Sequence, residues 1–558
     1  MPPRKLRIGI MCQGPVLQRW QAIAVERMLA SGLVELSLII LDDPANYPPL
    51  SLWSKIRRAG PSRILFNLYL RTLFRPRSMR TQDMSDVFAD IPRVSCVAEK
   101  RGRWSQHFCA ADLDAIRARD LDMILRFGFN IIRGEVLEAA RYGVWSFHHD
   151  DELKYRGGPP CYWEIHEGDP ETGAILQRLT DRLDGGIVLK KGIFRTKRHS
   201  YARNLDQAYF ESAKWPARVC RDIANGTADY LNQEPSGTSA PVRRLPTNGQ
   251  FLLTLARMAA AWVRQAIYLF AVFNRWNVAL VKLPIHALLD AAGDELRSAI
   301  GPPLKLRNGR SFNADAFGLP MDGGFAVLFE ELDESGGGQG KLVAAMLDAS
   351  GTERARFVPE GLPAGNHASY PFLFRHDGHV YLLPETAAES RIALFRADEF
   401  PRRWTHVADL LAGERFADPT LVRHEGRFWL FYTIHSEEFD GDLHLHLAFA
   451  ERIEGPYAPH PANPVKVSAR SSRPAGTPFV TPTGDLIRPA QNFCRTYGGS
   501  VVFNRVKVMT PDRYEEEEVG KLHPFDCYYR DGLHTIAALD DGHCLIDMKR
   551  HVLRWPWR

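Results

Sequence analysis

The sequence predicts an α/β half followed by an all-β half, and three observations support that division. Over the first 150 residues short apolar runs alternate with helical patterns, the arrangement of a mostly parallel sheet. A stretch rich in Pro, Gly, Ser and Thr, "NQEPSGTSAPVRRLPTNG" at 232–249, reads as a linker. From about residue 275 the chain becomes strand-rich and repeats a short pattern. A chain of 558 residues is also too long for one ordinary core.

The first half begins with the apolar run "LRIGIMC" (6–12), a helical pattern through "QRWQAIAVERMLASG" (18–32) and a second strand, "VELSLIIL" (34–41). "LDMILRFGF" (121–129) reads as another buried strand, followed by the short helix "EVLEAARYG" (135–143). Ligands of parallel sheets bind at the carboxyl ends of the strands. Two stretches fall there: residues 127–131, and "GVWSFHHDDELKYRGGPPCYWEI" at 143–165. In the second, His148, His149, Asp150 and Asp151 have metal-ligand chemistry. Adjacent strand residues point to opposite faces, however, and do not chelate one ion together. No metal is expected, and His149 reads as a surface loop residue.

Composition sets the limits. Hydrophobic residues make up 45% and charged residues 25%, as in a soluble globular protein. A net charge of +5 with no block of Lys or Arg argues against nucleic acid as the partner. The eight cysteines are scattered without a CxxC pair, and read as reduced thiols of a cytoplasmic protein rather than zinc ligands. The start, "MPPRKLRIGIMCQG", lacks the apolar core and cleavage site of a signal peptide. The run "FLLTLARMAAAWVRQAIYLFAVF" (251–273) approaches a membrane span in length, but Arg257, Arg264 and Gln265 interrupt it. It is expected to form an amphipathic helix packed between domains, with membrane-surface contact as the alternative.

Five segments of the second half share one design: "NADAFGLPMDGGFAVLFEE", "SYPFLFRHDGHVYLLPE", "ADPTLVRHEGRFWLFYT", "RPAGTPFVTPTGDLIRPAQ" and "HTIAALDDGHCLIDM". Each opens on a polar residue and turns at glycine between two strands. The leading residues are taken as Asp315, Tyr370, Asp418, Arg473 and His534. In four of the five a glycine follows the leading residue by eight: Gly323, Gly378, Gly426 and Gly542. Repeated hairpin units of roughly 50 residues imply a five-bladed propeller whose leading residues converge on a central channel. The expected domains are 1–231, a linker and helix over 232–274, and the propeller over 275–558.

Residues 1 to about 230 resemble the formyltransferases that use 10-formyltetrahydrofolate. That family carries Asn-x-His, then Leu-Pro-x-Tyr-Arg-Gly, a Thr-Gly strand and Asp-x-Gly. Here Arg156-Gly157 sets the register, His148 falls on the family histidine, and "TGAILQRLTDRLDGGIVL" (172–189) puts Asp184 on the family aspartate. "RFGFNII" (126–132) matches the loop whose backbone holds the folate pterin. The resemblance thus implies a Rossmann-like formyltransferase domain. It implies catalysis by His148, Asp184 and Ser146, and 10-formyltetrahydrofolate held by Phe127, Gly128, Phe129, Ile131, Arg156, Gly157 and Gly158. The chain departs from the family in two places: Ser146 stands at the asparagine position, and "DDEL" (150–153) replaces Ser-Leu-Leu-Pro. Formyl transfer needs a donor to the developing oxyanion and a base for the amine proton. The resemblance gives His148 one or both roles and makes Asp184 its orienting group.

Residues 275–558 resemble the propeller region of glucosamine inositolphosphorylceramide transferases through "HVYLLPE", "FADPTL", "GPYAPHPANPV", "RPAG", "LIRPAQNF" and "YGGSVVFNRV". The acidic leading residues also look like those of arabinanase-type five-bladed glycosidases. Asp315 and Asp418, with Glu331 or Glu385 as acid, are the carboxylates such chemistry would use. Arg473 and Arg488 could pair with them or bind an anionic sugar or phosphate. Tyr370, Gln491 and His534 complete the expected channel lining, which could equally be a satisfied polar network. Together these features point to an N-formyltransferase for an amino sugar, nucleotide- or lipid-linked, with a glycan-binding or glycan-processing propeller. The alternative is a carbohydrate-active propeller enzyme with a degenerate formyltransferase domain.

Overall fold

The computed structural model describes residues 4–47, 61–101, 105–182, 185–333, 338–363, 367–435 and 443–554. The chain divides into two compact units, Met1–Gln265 and Ala266–Arg558.

The first unit is built on a seven-stranded sheet. Its strands are β1 (Leu6–Cys12), β2 (Val34–Asp42), β3 (Arg93–Cys96), β4 (Met123–Arg126), β5 (Val144–His148), β6 (Glu171–Arg178) and β7 (Ile187–Arg195), in the spatial order β7-β6-β5-β4-β1-β2-β3. The strands β5, β4, β1, β2 and β3 run parallel, and β6 and β7 are antiparallel additions at one edge. The continuous apolar runs of β1 and β4 follow from this: a parallel sheet is covered on both faces, and Ile8, Ile10, Met11, Ile124 and Leu125 are fully buried. Helix α1 (Arg19–Ala30) covers one face through Trp20, Ala22, Val25 and Met28. The other helices of eight or more residues among the described residues are α2 (Ile64–Thr72), α3 (Ala110–Arg117), α4 (Tyr201–Ser212), α5 (Trp215–Ala224) and α6 (Asn248–Ala271).

The chain runs outward from β1 through β2 and β3, then returns to the other side of β1 as β4. The switch point therefore lies between the carboxyl ends of β1 and β4, where such sheets bind ligands. The amides of Phe127 and Gly128 both donate to Met11 O there (2.8 and 2.9 Å).

One expectation needs correction. The stretch 232–249 is not a free linker, because Val242–Arg243 pairs in parallel with Arg156–Gly157. Gly157 has φ +88°, and a Cβ on it would collide with Arg243 O. That glycine admits the chain's own backbone rather than a ligand. Helix α6 buries Phe251 and Thr254, and Leu252, Leu253, Trp262, Val263, Ile267, Leu269 and Phe270 are exposed.

The second unit holds five antiparallel sheets among the described residues, each with four strands along its main path. The unit's first strand, β8 (Val272–Val281), pairs along its full length with its last, Cys544–Leu553. The hairpins read from the sequence are the leading pairs of these sheets. At Asp315, Tyr370 and Asp418 the register shifts and φ is +52°, +44° and +49°. These are left-handed conformations unusual for residues with a Cβ. In the fourth hairpin the left-handed residue is Gly476 (φ +108°), and Gly484 follows it by eight. The leading residue of that repeat is thus Gly476, not Arg473, and the eight-residue offset holds in all five repeats. A Cβ at Gly476 would strike Ile536 O, so glycine is required there.

Candidate functional site

In the first unit the site grows from strand β5. Alternation puts Ser146 and His148 on one face and Phe147 on the other. Gln177 on β6 lies directly opposite Ser146. These side chains line one cleft with Arg126, Ile131, Gly185 and Gly186. Asp184 lies outside the described residues. Thr180 Oγ1 donates to Gly185 O (2.6 Å).

Arg126 is the residue that sequence reading missed. Its Nε and Nη2 donate to Ser146 Oγ (3.2 and 2.9 Å), and Nη1 donates to the carbonyls of Phe129 and Asn130. A guanidinium has five N–H bonds, so one on Nη2 has no partner among the described residues. Burial pulls the Arg126 pKa down to about 10, against the charges of Tyr47 and Asp42, so the group is cationic at neutral pH. A signal for it was present: "MILRFGF" places an arginine at the end of an otherwise apolar strand.

His148 Nε2 lies 3.1 Å from Tyr155 O. A carbonyl only accepts, so neutral His148 carries its proton on Nε2 and keeps a lone pair on Nδ1. Nδ1 has no hydrogen-bond partner among the described residues. The next residue points the other way. His149 is buried, not at the surface: Nε2 meets Ser212 Oγ at 3.0 Å, and its ring stacks on Phe147 at 5.6 Å. Burial, aided by the charge of His148, pushes its pKa down to about 3.

The acidic run after the histidines is also internal. Lys191 Nζ meets Asp151 Oδ1 at 2.9 Å and both oxygens of Glu152 at 3.1 Å. Asp150 accepts from Cys161 N (2.7 Å) and faces the fully buried Glu164, whose oxygens have no other donor among the described residues. Two facing buried carboxyls hold together by sharing a proton. Burial pushes Asp150 up to about 7 and Glu164 well above the usual carboxylate range.

The loop expected to hold a pterin has little donor capacity left. Phe127 and Gly128 donate to Met11 O, Phe129 N donates to Asp42 (2.7 Å), and Asn130 N donates to Gln106. Phe129 is buried with φ +63°, and Gly128 packs against the backbone of Cys12. Ile131 lines the cleft. Arg156 Nη1 reaches Ala240 O (3.4 Å), and Gly158 lies in the turn beside it. A folate donor fits at its reacting end, where Arg126, Ser146, His148 and Gln177 supply polar groups. Its pterin would depend on the carbonyl oxygens of the loop.

In the second unit the expected channel residues sort into three groups. Asp315, His534 and Asp547 form the first. His534 Nδ1 meets Asp547 Oδ1 at 2.7 Å, and His534 Nε2 is 3.6 Å from Asp315. Asp547 also accepts from Asp315 N (2.8 Å) and Thr535 N (2.9 Å). Burial lowers the His534 pKa, but the charges of Asp547 and Asp315 outweigh it, and the net shift is upward. Ligand atoms of these three residues lie within 4.8 Å of one another, so their geometry admits a cation, although Asp547 is occupied by its donors.

Asp418 and Arg473 form the second group, a buried bidentate ion pair through Nε and Nη2. Asp418 N donates to Glu385 (3.0 Å), Gln491 Nε2 donates to Pro474 O (2.9 Å), and His435 lies 3.5 Å from Glu385. Tyr370 OH bonds Thr420 Oγ1 (2.8 Å) and accepts from Gly476 N (2.7 Å). The leading residues of separate sheets are thereby joined.

The third group is a correction. Arg488 is 1% exposed, and four of its five N–H groups go to Glu516 (2.8 and 2.6 Å) and to the carbonyls of Ser471 and Ser472, so it is built into the fold rather than presented to a ligand. Glu331 binds Arg356 and points away from the other acids. Its neighbour Glu330 is buried among them, and burial together with Asp315 and Glu385 raises its pKa well above the usual carboxylate range. Fifteen residues separate Asp315 from Glu330, Tyr370 from Glu385, Asp418 from Thr433, Gly476 from Gln491 and His534 from Lys549. All five second members are buried. The repeat offset therefore specifies Glu330, and strand alternation excludes Glu331.

Comparison with known proteins matches the two halves to different relatives. The family model for the N-terminal part of glucosamine inositolphosphorylceramide transferase 1 matches residues 306–524. The enzyme of that name from Oryza sativa subsp. indica is 32% identical over 215 residues, covering 38% of this chain and 28% of that protein. The methionyl-tRNA formyltransferase of Parasynechococcus marenigrum is 38% identical over 198 residues, covering 34% of this chain and 58% of that protein. The chain thus spans less than two thirds of either relative. Among solved structures, an N-formyltransferase from Helicobacter canadensis, in complex with folinic acid and dTDP-3-aminofucose, aligns with a TM-score of 0.29 at 13% identity. That alignment covers 46% of this chain and 80% of the other. The chain therefore joins a formyltransferase-like half to a half similar to the glycolipid transferase region.

Proposed function

We propose that this protein is an N-formyltransferase that moves the formyl group of 10-formyltetrahydrofolate to the amine of an amino sugar, and that its second unit is a five-bladed propeller that binds the glycan bearing it. The observation that carries the reading is the division of labour between Arg126 and His148 in one cleft. His148 has its Nε2–H committed to Tyr155 O and offers a lone pair at Nδ1, which suits taking a proton from an amine. Arg126 offers a spare N–H and a positive charge, which suits the oxygen on which charge develops in acyl transfer. Ser146 anchors that guanidinium instead of supplying the family's amide. The resemblance implies Asp184 as the group that orients His148; with Nε2–H on Tyr155 O, its carboxylate would serve the protonated ring, once Nδ1 has taken the amine proton.

When bound, the folate supplies the one-carbon unit at its N10. Gln177, opposite Ser146 on β6, is positioned to fix either reactant by its amide. An amino sugar is favoured over a tRNA end by the weak net charge of +5 and by the propeller in the second half. The buried acids Asp315, Glu330 and Glu385 with His534 give the second unit the polar groups for sugar hydroxyls.

The test is formyl transfer from 10-formyltetrahydrofolate to a panel of aminodeoxy sugar nucleotides and aminated glycolipids, read as tetrahydrofolate release. Calorimetric titration with folinic acid runs beside it. Transfer to an amino sugar supports the proposal. Absence of both folate binding and transfer across the panel overturns it.

A further inference from the structure

We propose that α6, with α2 beside it, seats the protein on an anionic membrane surface. The helix α6 is the longest in the chain, with 24 residues, yet its side chains are largely unburied. Trp262 is 63% exposed, Ile267 55% and Phe270 81%. At about 100° per residue, Leu252, Val263, Ile267 and Phe270 fall on one stripe, and Arg257 and Arg264 flank it on one side. Scattered exposed apolar residues are ordinary, but an ordered stripe over five turns is not.

The patch extends across α2. Phe66 and Tyr69 pack on Phe251, and Leu65 N donates to Asn248 Oδ1 (3.1 Å). Ile64, Leu65, Leu68 and Leu73 are exposed there. Exposed Arg71, Arg75, Arg77 and Arg80 follow. No Asp or Glu occurs between Asp43 and Asp83, or between Glu234 and Asp290. An apolar stripe edged by arginine and free of acid is complementary to anionic headgroups over hydrocarbon. A second copy of the same surface would bring arginine against arginine, which disfavours self-association through it. No helix among the described residues is long and apolar enough to cross a membrane, so the contact lies in the interface plane.

Vesicle flotation of the full chain tests this. The protein should float with vesicles of phosphatidylcholine plus phosphatidylglycerol, much less with phosphatidylcholine alone, and less again as salt rises. The W262E/V263E variant should bind at least about tenfold more weakly, and R257Q/R264Q about fivefold more weakly per arginine removed. The control Val480→Glu, at an exposed apolar position of the second unit, should float as the wild type does. Circular dichroism of each variant checks its fold. Failure of the wild type to float with either vesicle overturns the proposal, as does undiminished flotation of W262E/V263E. Sedimentation showing a dimer that W262E/V263E dissociates, without vesicle binding, assigns the patch to self-association instead.

Discussion

Replacing Arg126 separates this chain's chemistry from that of an enzyme with an amide at position 146. Arg126→Met keeps the volume of the stem and removes four hydrogen bonds: two to Ser146 Oγ and one each to Phe129 O and Asn130 O. Every acceptor is neutral, and a typical net bond contributes about 1 kcal/mol, so the fold should lose roughly 2–4 kcal/mol and survive. The effect on catalysis should be of similar size and separable from it. Loss of a single oxyanion donor lowers kcat by about 10²–10³. The assay is the initial rate of formyl transfer at saturating amine, with stability followed in urea. Arg126→Lys retains the charge but cannot bridge Ser146 with two N–H groups, and should lie between wild type and Arg126→Met. The informative variant is Arg126→Ala with Ser146→Asn, which restores an amide donor and removes the arginine. It should recover part of what Arg126→Ala alone loses, in kcat rather than KM. If Arg126→Met turns over within about threefold of wild type while folded, the charge assignment is wrong and Ser146 must act without it.

Two further outcomes follow from buried charges. Asp150→Asn gives Glu164 the amide donor it lacks, and keeps an oxygen for Cys161 N. Because burial raises the folded Asp150 pKa to about 7 from 3.8, the wild type loses stability as pH climbs through that window, where the unfolded chain ionises first. Asp150→Asn should therefore be more stable than wild type by about 1–3 kcal/mol at pH 8 and no different at pH 4, as urea denaturation at the two pH values would show. A variant less stable at pH 8 would mean that the Asp150 carboxylate is held by donors in the fold and not penalised by burial. In the second unit, Arg473→Met strands the Asp418 carboxylate with Gln491 as its remaining side-chain donor. It should cost about 3–5 kcal/mol in thermal unfolding, and adding Asp418→Leu should restore much of that. A cost under about 1 kcal/mol would show the pair to be solvated.

What the sequence made legible was whatever repeats or alternates. The parallel strands, the position of His148 and the hairpins of the second unit all follow from short periods that local chemistry enforces. What it hid were cases in which one side chain answers to a partner distant along the chain. His149 looks like a loop residue beside a catalytic one, yet strand alternation sends it under Trp20 and Tyr209 (ring centroids 5.1 and 4.0 Å away), so polarity misled where geometry did not. The acids of "DDEL" look like ligands until Lys191, on a strand some forty residues on, is placed against them. Ser146 looks like a lost asparagine until Arg126, twenty residues earlier, is seen to occupy its hydroxyl.

The second unit shows the same rule from the other side, since there the period itself corrects the errors. Taking Arg473 as a leading residue left one repeat without its glycine at plus eight. Moving to Gly476 restores it at Gly484 and supplies the one residue type that accepts φ +108° without strain. The same register then selects Glu330 over Glu331, because an odd step along a strand reverses the face. An acid chosen for its chemistry alone has an even chance of facing the wrong way. An acid chosen at the offset shared by Glu385 and Gln491 does not, and the burial of all five residues at that offset follows from their common place on the second strand of each hairpin.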